Sequence, residues 1–217
     1  MAGTLDLFDD LPQEPERLAE GAWLLRGFAL CDAAMLIDEI HRIANSSPFR
    51  HQVTPGGHSM SAAMTNCGGL GWVTDLQGYR YSVADPLTEH SWPEMPETFL
   101  QLAQRAAQAA EYHGFLPQSC LINRYETGAR MSLHQDRDEQ DLRAPIVSVS
   151  LGAPISFMFG GPKRADKPDR WKLEHGDVVV WGGASRLFYH GVAPLGKKAD
   201  HPLTGAARYN LTFRKVY

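Results

Sequence analysis

His134 and Asp136 stand two residues apart, and His190 follows far downstream. Two imidazoles and one carboxylate can occupy one face of a metal ion and leave the opposite face open. That arrangement suits a non-haem Fe(II) centre at which O2 and a co-substrate take the free positions. Residues i and i+2 of a β-strand point to the same side, so a strand through 134–136 lets both side chains reach one ion while Gln135 turns away. An H-x-D pair alone is weak evidence in a chain with nine histidines. A second one, His175-Gly176-Asp177, reads as a turn, because Gly176 breaks the run and Asp177 leads straight into Val178-Val179-Val180-Trp181.

What sets His134 apart is its company. His190 ends a strand-like segment, Arg186-Leu187-Phe188-Tyr189, and the later run 208–214 alternates. Arg208, Asn210, Thr212 and Arg214 fall on one face of that run, and Tyr209, Leu211 and Phe213 on the other. An outer strand with its polar face in solvent is the ordinary explanation. A co-substrate pocket is the other: an open iron site needs an electron source, 2-oxoglutarate offers two carboxylates, and arginine grips a carboxylate through two parallel hydrogen bonds as lysine cannot. Asn123 and Tyr125, sharing one face of a strand that begins at Cys120, can supply neutral donors.

These residues need a scaffold. From Cys120 onward the apolar period is two, in runs at 120–125, 146–151, 178–181 and 208–214, punctuated by Gly128, Pro145, Gly152, Gly160-Gly161-Pro162, Gly176 and Gly182-Gly183. Many short strands with such turns predict a jelly roll over residues 120–217. Before it, Leu36, Ile37, Ile40, Ile43 and Ala44 predict a helix from a cap at Asp32 to about Asn45. Phe99, Leu102, Ala103, Ala106, Ala109 and Ala110 predict a second one starting at Pro96. Between the helices, residues 48–96 are rich in Gly, Pro, Ser, Thr and aromatics with little periodicity; so long a connection predicts a functional lid. Residues 1–20, acidic and Pro-containing, read as a loose arm. The class is α+β, mainly β: N-terminal helices, a lid and a jelly-roll core in one domain, 1–217.

Bulk properties narrow the function. Hydrophobic residues at 43% and charged residues at 21% are those of an ordinary globular protein. A net charge of −4 excludes a generally basic surface, so any nucleic-acid contact must come from a local patch. Three dispersed cysteines, Cys31, Cys67 and Cys120, make neither a disulfide framework nor a thiolate zinc site and are expected to be buried free thiols. No apolar run is long enough for a bilayer and the first residues lack a signal-peptide core, so a cytoplasmic monomer with no membrane partner is expected.

Longer strings make the chain resemble a known family. Leu121-Ile122-Asn123-Arg124-Tyr125, Leu133-His134-Gln135-Asp136, Ala144 to Gly152, His175 to Gly183, Arg186 to Gly191 and Arg208 to Arg214 occur in the order seen in bacterial AlkB proteins, with Thr54 to Gly57, Met64 to Gly68 and Gly71-Trp72 upstream. The AlkB family comprises Fe(II)- and 2-oxoglutarate-dependent dioxygenases that repair alkylated DNA. The resemblance implies a double-stranded β-helix fold, with His134, Asp136 and His190 as catalytic iron ligands and a nucleotide-recognition lid over 48–96. It implies that Arg208 pairs with the distal carboxylate of 2-oxoglutarate beside Tyr125, and that Arg214, Asn123 and Asn210 handle the end that chelates iron.

The same resemblance implies oxidative demethylation of bases such as N1-methyladenine and N3-methylcytosine, in single-stranded or flipped-out DNA, with RNA as a second candidate. Succinate, CO2 and formaldehyde are the products. Trp72 and His134 would sandwich the base and Tyr79 would hold the backbone. The Tyr79-Arg80-Tyr81 cluster mixes aromatic faces with a cation, as single-strand sites do. Asp138 could accept from the exocyclic amine of a cationic base that Trp72 attracts. Arg164, in the run Lys163 to Lys172, could meet phosphate. Each has a plainer reading: a core tryptophan, a solvated acidic loop, a solvated basic loop. Two rival functions follow: a non-catalytic sensor or binding module with a structural metal, or the same chemistry on a protein, free nucleotide or lipid.

Overall fold

A computed structural model describes residues 14–217. In chain order the elements are β1 (Glu16–Ala19), β2 (Ala22–Leu25), α1 (Ala33–Ser46), β3 (Arg50–Val53), β4 (Ser59–Gly68), β5 (Gly71–Asp75), β6 (Gly78–Ser82), α2 (Glu97–Ala109), β7 (Ser119–Tyr125), β8 (Met131–His134), β9 (Ile146–Gly152), β10 (Ile155–Phe159), β11 (Asp169–Leu173), β12 (Val178–Trp181), β13 (His190–Val192) and β14 (Arg208–Arg214). Eight strands form one sheet in the order β1-β2-β12-β9-β14-β7-β4-β3; β11-β10-β13-β8 form a second, and β5-β6 a separate hairpin.

The alternation within the strands builds two cores. On one face of the large sheet Ile122, Val147, Val149, Leu211 and Phe213 pack under α1 and α2, where Leu36, Ile40, Phe99, Leu102 and Ala106 are buried. On the other face Leu121, Tyr125 and Ile146 meet Phe157, Phe159 and Val192 of the small sheet. The jelly-roll expectation holds in this two-sheet core, and its open end lies between the sheets. The solvent-faced reading of 208–214 does not hold: β14 is sandwiched between β7 and β9 and all seven of its residues are buried.

Several boundaries differ from the sequence reading. The loose-arm expectation fails at Glu16–Ala19, which pairs with β2 at the edge of the large sheet; residues 1–13 of that arm lie outside the described residues. The turn between them requires Gly21, whose φ is +75° and where a Cβ would stand 2.6 Å from the Gly182 carbonyl oxygen. The lid expectation for 48–96 is too broad. Arg50–Val53 and Ser59–Gly68 extend the large sheet, with Ala63 to Gly68 paired along β7. Small residues buried on both faces of β4 removed the alternation that would have announced it. In α2, Pro96 caps rather than opens the helix, and Ala107 is buried where Ala109 was expected. Cys67 and Cys120 are buried, but Cys31 is exposed.

Candidate metal centre and adjoining cleft

The two sheets place the three candidate ligands. His134 ends β8 and His190 opens β13, and the two are direct cross-strand partners. Asp136 lies just beyond β8 rather than inside a strand, and 186–189 is a turn leading into β13 rather than a strand. One ligand atom from each of His134, Asp136 and His190 comes within 4.8 Å of the others, and among the described residues this is the one such group of three. His134 Nε2 stands 3.7 Å from Asp136 Oδ1, and His190 Nε2 3.8 Å from Oδ2.

Each imidazole Nδ1 faces a backbone carbonyl, that of Ser132 at 2.9 Å and that of Phe188 at 3.0 Å. Nδ1–H donating to those carbonyls fixes the tautomer that leaves Nε2 free for a metal. Burial, then His134, pushes the buried His190 down to about 4, with Asp136 opposing. Burial alone would raise the Asp136 carboxyl, but Arg214, His190 and His134 outweigh it and hold it well below the usual carboxylate range. A neutral His190 and an ionised Asp136 are protonation states that metal coordination needs.

Behind the triad, β14 presents its polar face. Arg214 Nη2 donates to Asp136 Oδ2 at 2.9 Å. Arg208 is buried, donates through Nη2 to Ser150 Oγ at 2.9 Å and lies 5.1 Å from the Tyr125 ring. Its Nε and Nη1, and Nη1 of Arg214, are buried without a partner among the described residues. Asn210 donates to Ser148 Oγ and to the Val149 carbonyl, and Asn123 donates to Asn210 Oδ1. Strand register accounts for these neighbours: Arg208 opposes Tyr125, and Asn210 opposes Asn123.

The inner chamber opens into a cleft of about 730 Å³ that shares His134, Asp136 and Arg214 with it. Trp72, Tyr79, Asp138 and Arg164 line the cleft, together with Met60, Met64, Arg130 and Arg137. Trp72 and Tyr79 stack at 5.7 Å between centroids, and the Trp72 indole N–H donates to Asp138 at 2.8 Å.

The relatives of this chain agree with that arrangement. A family model described as the 2OG-Fe(II) oxygenase superfamily matches residues 21–214. The alpha-ketoglutarate-dependent dioxygenases AlkB of Salmonella typhimurium and Escherichia coli are 60% and 62% identical over 212 residues, with 98% of each chain covered in both cases. The chain belongs to the AlkB family of 2OG-Fe(II) oxygenases. The solved structure of OsALKBH1 superimposes with a TM-score of 0.82 at 30% identity, covering 93% of this chain and 99% of that one.

Fe(II) and 2-oxoglutarate are therefore the groups this AlkB-family site has to fit, and it fits them. Its donor set is two imidazole nitrogens and a carboxylate. Unpartnered guanidinium N–H groups buried at Arg208 and Arg214 call for an anion, and a dicarboxylate supplies one at each end. Arg208, Asn210 and Arg214 of β14, with Asn123 and Tyr125 of β7, could hold it.

Two expected substrate residues are not brought to the cleft of this AlkB-family chain. Arg80 turns to the other side of β6 and pairs with Asp75 at 2.7 Å. Tyr81 shares the Tyr79 side of the strand but runs inward, donating to Glu139 at 2.5 Å. The basic run 163–172 is exposed, and of it Arg164 lines the cleft, near the Tyr189 ring. Sequence reasoning missed Glu139 and Arg186. Glu139 read as part of a solvated acidic loop, yet both are buried and paired at 2.9 Å, and Arg186 Nη1 donates to the Asp136 carbonyl at 2.6 Å. The second H-x-D behaves as a turn: His175 Nδ1 accepts from the Gly152 N–H and Asp177 pairs with Arg26.

Proposed function

We propose that the protein oxidatively demethylates alkylated bases of the N1-methyladenine and N3-methylcytosine type in single-stranded DNA, with RNA as a second candidate. The observation that carries this is the junction of two chambers at His134 and Asp136: a small one ending in the unsatisfied Arg208, and a large aromatic and cationic one ending in Trp72 and Tyr79. Fe(II), 2-oxoglutarate and O2 bound together would supply oxidation of the methyl C–H bond, with succinate, CO2 and, after the hydroxymethyl group leaves the base, formaldehyde as products.

The chain's own residues supply placement. His134, Asp136 and His190 would hold the metal, the Nε2 atoms of the two histidines left free for it by the Nδ1 contacts to the Ser132 and Phe188 carbonyls. Arg208 would take the far carboxylate of 2-oxoglutarate, while Arg214, Asn123 and Asn210 orient the near end. Trp72 offers a flat face to a base that carries positive charge, and Asp138 an acceptor for its exocyclic amine. Arg130, Arg137 and Arg164 sit where phosphates of the strand would pass. A base must leave the stack to reach the triad, so single strands are the easier substrate. Because one chain furnishes the whole site, a monomer suffices, and the exposed thiol of Cys31 suits the reducing cytoplasm.

A short single-stranded oligonucleotide carrying one N1-methyladenine, incubated with Fe(II), 2-oxoglutarate and ascorbate, tests the proposal by mass spectrometry. Loss of one methyl group that requires 2-oxoglutarate and disappears in Asp136→Ala is the expected result. Succinate without demethylation would leave the iron site standing and reject the substrate. Neither product would reject the enzyme reading in favour of a binding module.

A further inference from the structure

We propose that Glu139 is a positioning residue through which the β5–β6 hairpin sets the metal-facing carboxylate of Asp136, so that seating a base against the hairpin and binding the metal reinforce each other. The inference rests on the function proposed above and concerns how its two chambers communicate. The loop 136–139 is clamped on both sides. From the hairpin, the Trp72 indole donates to Asp138 at 2.8 Å and the Tyr81 hydroxyl donates to Glu139 Oε1 at 2.5 Å. From the core, Arg186 donates to Glu139 Oε2 at 2.9 Å and to the Asp136 carbonyl at 2.6 Å. Arg214 stands 3.4 Å from Glu139 Oε1 and donates to Asp136 Oδ2 at 2.9 Å.

Glu139 thus touches every group that fixes Asp136 except the two histidines. Two guanidinium cations, Arg186 and Arg214, face two carboxylates, Asp136 and Glu139, with almost no solvent access: the side chains are 4%, 6%, 8% and 1% exposed. A buried network this evenly matched holds its members in one geometry, and removing one carboxylate leaves a cation uncompensated. The hairpin enters the network through one strand. Tyr79 and Tyr81 lie on the same side of β6, and Trp72 is the cross-strand partner of Tyr81. A base seated on Trp72 therefore restrains both the residue that reaches Asp138 and, through its cross-strand partner Tyr81, the hydroxyl that reaches Glu139. Linkage makes the effect reciprocal: whatever the base does to metal affinity, the metal does to base affinity.

Anaerobic Fe(II) titration in the presence of 2-oxoglutarate tests this, using the full chain and its Tyr81→Phe, Glu139→Gln and doubly substituted variants. Each is titrated with and without a single-stranded oligonucleotide carrying one N1-methyladenine, and thermal melting reports folding. Without oligonucleotide, Glu139→Gln is expected to weaken metal binding about 10-fold or more. Tyr81→Phe is expected to weaken it roughly 3-fold, and that effect should vanish once Gln stands at 139. With oligonucleotide, the parent's metal affinity rises and Tyr81→Phe abolishes the rise. Additive effects of the two substitutions, or a rise retained in Tyr81→Phe, would overturn the proposal. A purely structural Glu139 would lower the melting temperature and leave the metal affinity of the folded protein unchanged, which also overturns it. If Glu139→Gln does not fold, the Tyr81→Phe comparison decides alone. A parent that fails to bind the oligonucleotide rejects the proposed function, and the metal-affinity cycle still decides whether Glu139 sets Asp136.

Discussion

Arg208 is the most instructive single residue. It is buried, it donates to Ser150, and its Nε and Nη1 have no partner among the described residues. A buried cation in that condition is costly unless an anion completes it, which is the physical reason to place a carboxylate of 2-oxoglutarate there. Lysine keeps the charge and loses the planar fork, so Arg208→Lys should raise the KM for 2-oxoglutarate about 100-fold, the equivalent of ~2–3 kcal/mol. Succinate release measured against 2-oxoglutarate concentration checks this; an unchanged KM would place the co-substrate elsewhere. Arg208, Asn210, Asn123 and Tyr125 were legible in the sequence because alternation alone puts them on one face of each strand. Glu139 and Arg186 were not, because nothing local distinguishes a buried acid in a D-x-D-E-Q-D stretch from a solvated one.

At the scale of elements, the hairpin β5–β6 separates two kinds of residue that look alike in sequence. Trp72 and Tyr79 face the cleft, whereas Arg80 pairs with Asp75 on the far side, with both side chains more than a third exposed. Trp72→Ala should weaken oligonucleotide binding by ~1–3 kcal/mol, roughly 10- to 100-fold. Arg80→Ala should change binding little, and stability by no more than about 0.5 kcal/mol. Fluorescence anisotropy with a labelled single strand distinguishes the two. The segment that follows the hairpin is tied down at Asp85, which is buried and accepts from Ser47 and Arg50 and from the Leu87 N–H. Burial alone would raise its carboxyl, but Arg50, Leu87 and Ser47 outweigh it and lower the pKa. A carboxyl depressed on folding contributes stability that is present above its unfolded pKa of about 3.9 and is lost as pH falls through the folded value. Asp85→Asn should therefore flatten the acid side of the Tm-versus-pH curve and lower Tm at pH 7 by about 5 °C, corresponding to ~2 kcal/mol. A parallel curve for the variant would show that the ion pair carries none of the acid sensitivity.

For the whole molecule, charge distribution matters more than its sum. The net charge is −4, yet Arg130, Arg137 and Arg164 gather at one cleft. If about three phosphates are met there, the logarithm of the binding constant for a single strand should fall against the logarithm of salt concentration with a slope of roughly −2. A slope near zero would mean that the strand does not cross these arginines. The same cleft sits at the open end between two sheets, so the fold leaves the triad reachable while helices seal the opposite face of the large sheet.

Period-two patterning by itself determined the jelly-roll core and which residues of β7 and β14 share a face, because strand geometry is local and alternates without reference to the rest of the chain. The three candidate ligands were legible from residue type and spacing, although Asp136 lies just beyond β8. The helices were legible for the same reason at a period of 3.6, within a residue or two of their ends. Only the tertiary structure decided that His134 and His190 are cross-strand partners, that β4 belongs to the large sheet, that Tyr81 turns inward while Tyr79 stays in the cleft, and that Glu139 is buried between two arginines. Those outcomes depend on which surfaces meet. A strand of small residues carries no alternation to declare its neighbours, and a charged side chain is buried only where distant segments bring the opposite charge to it.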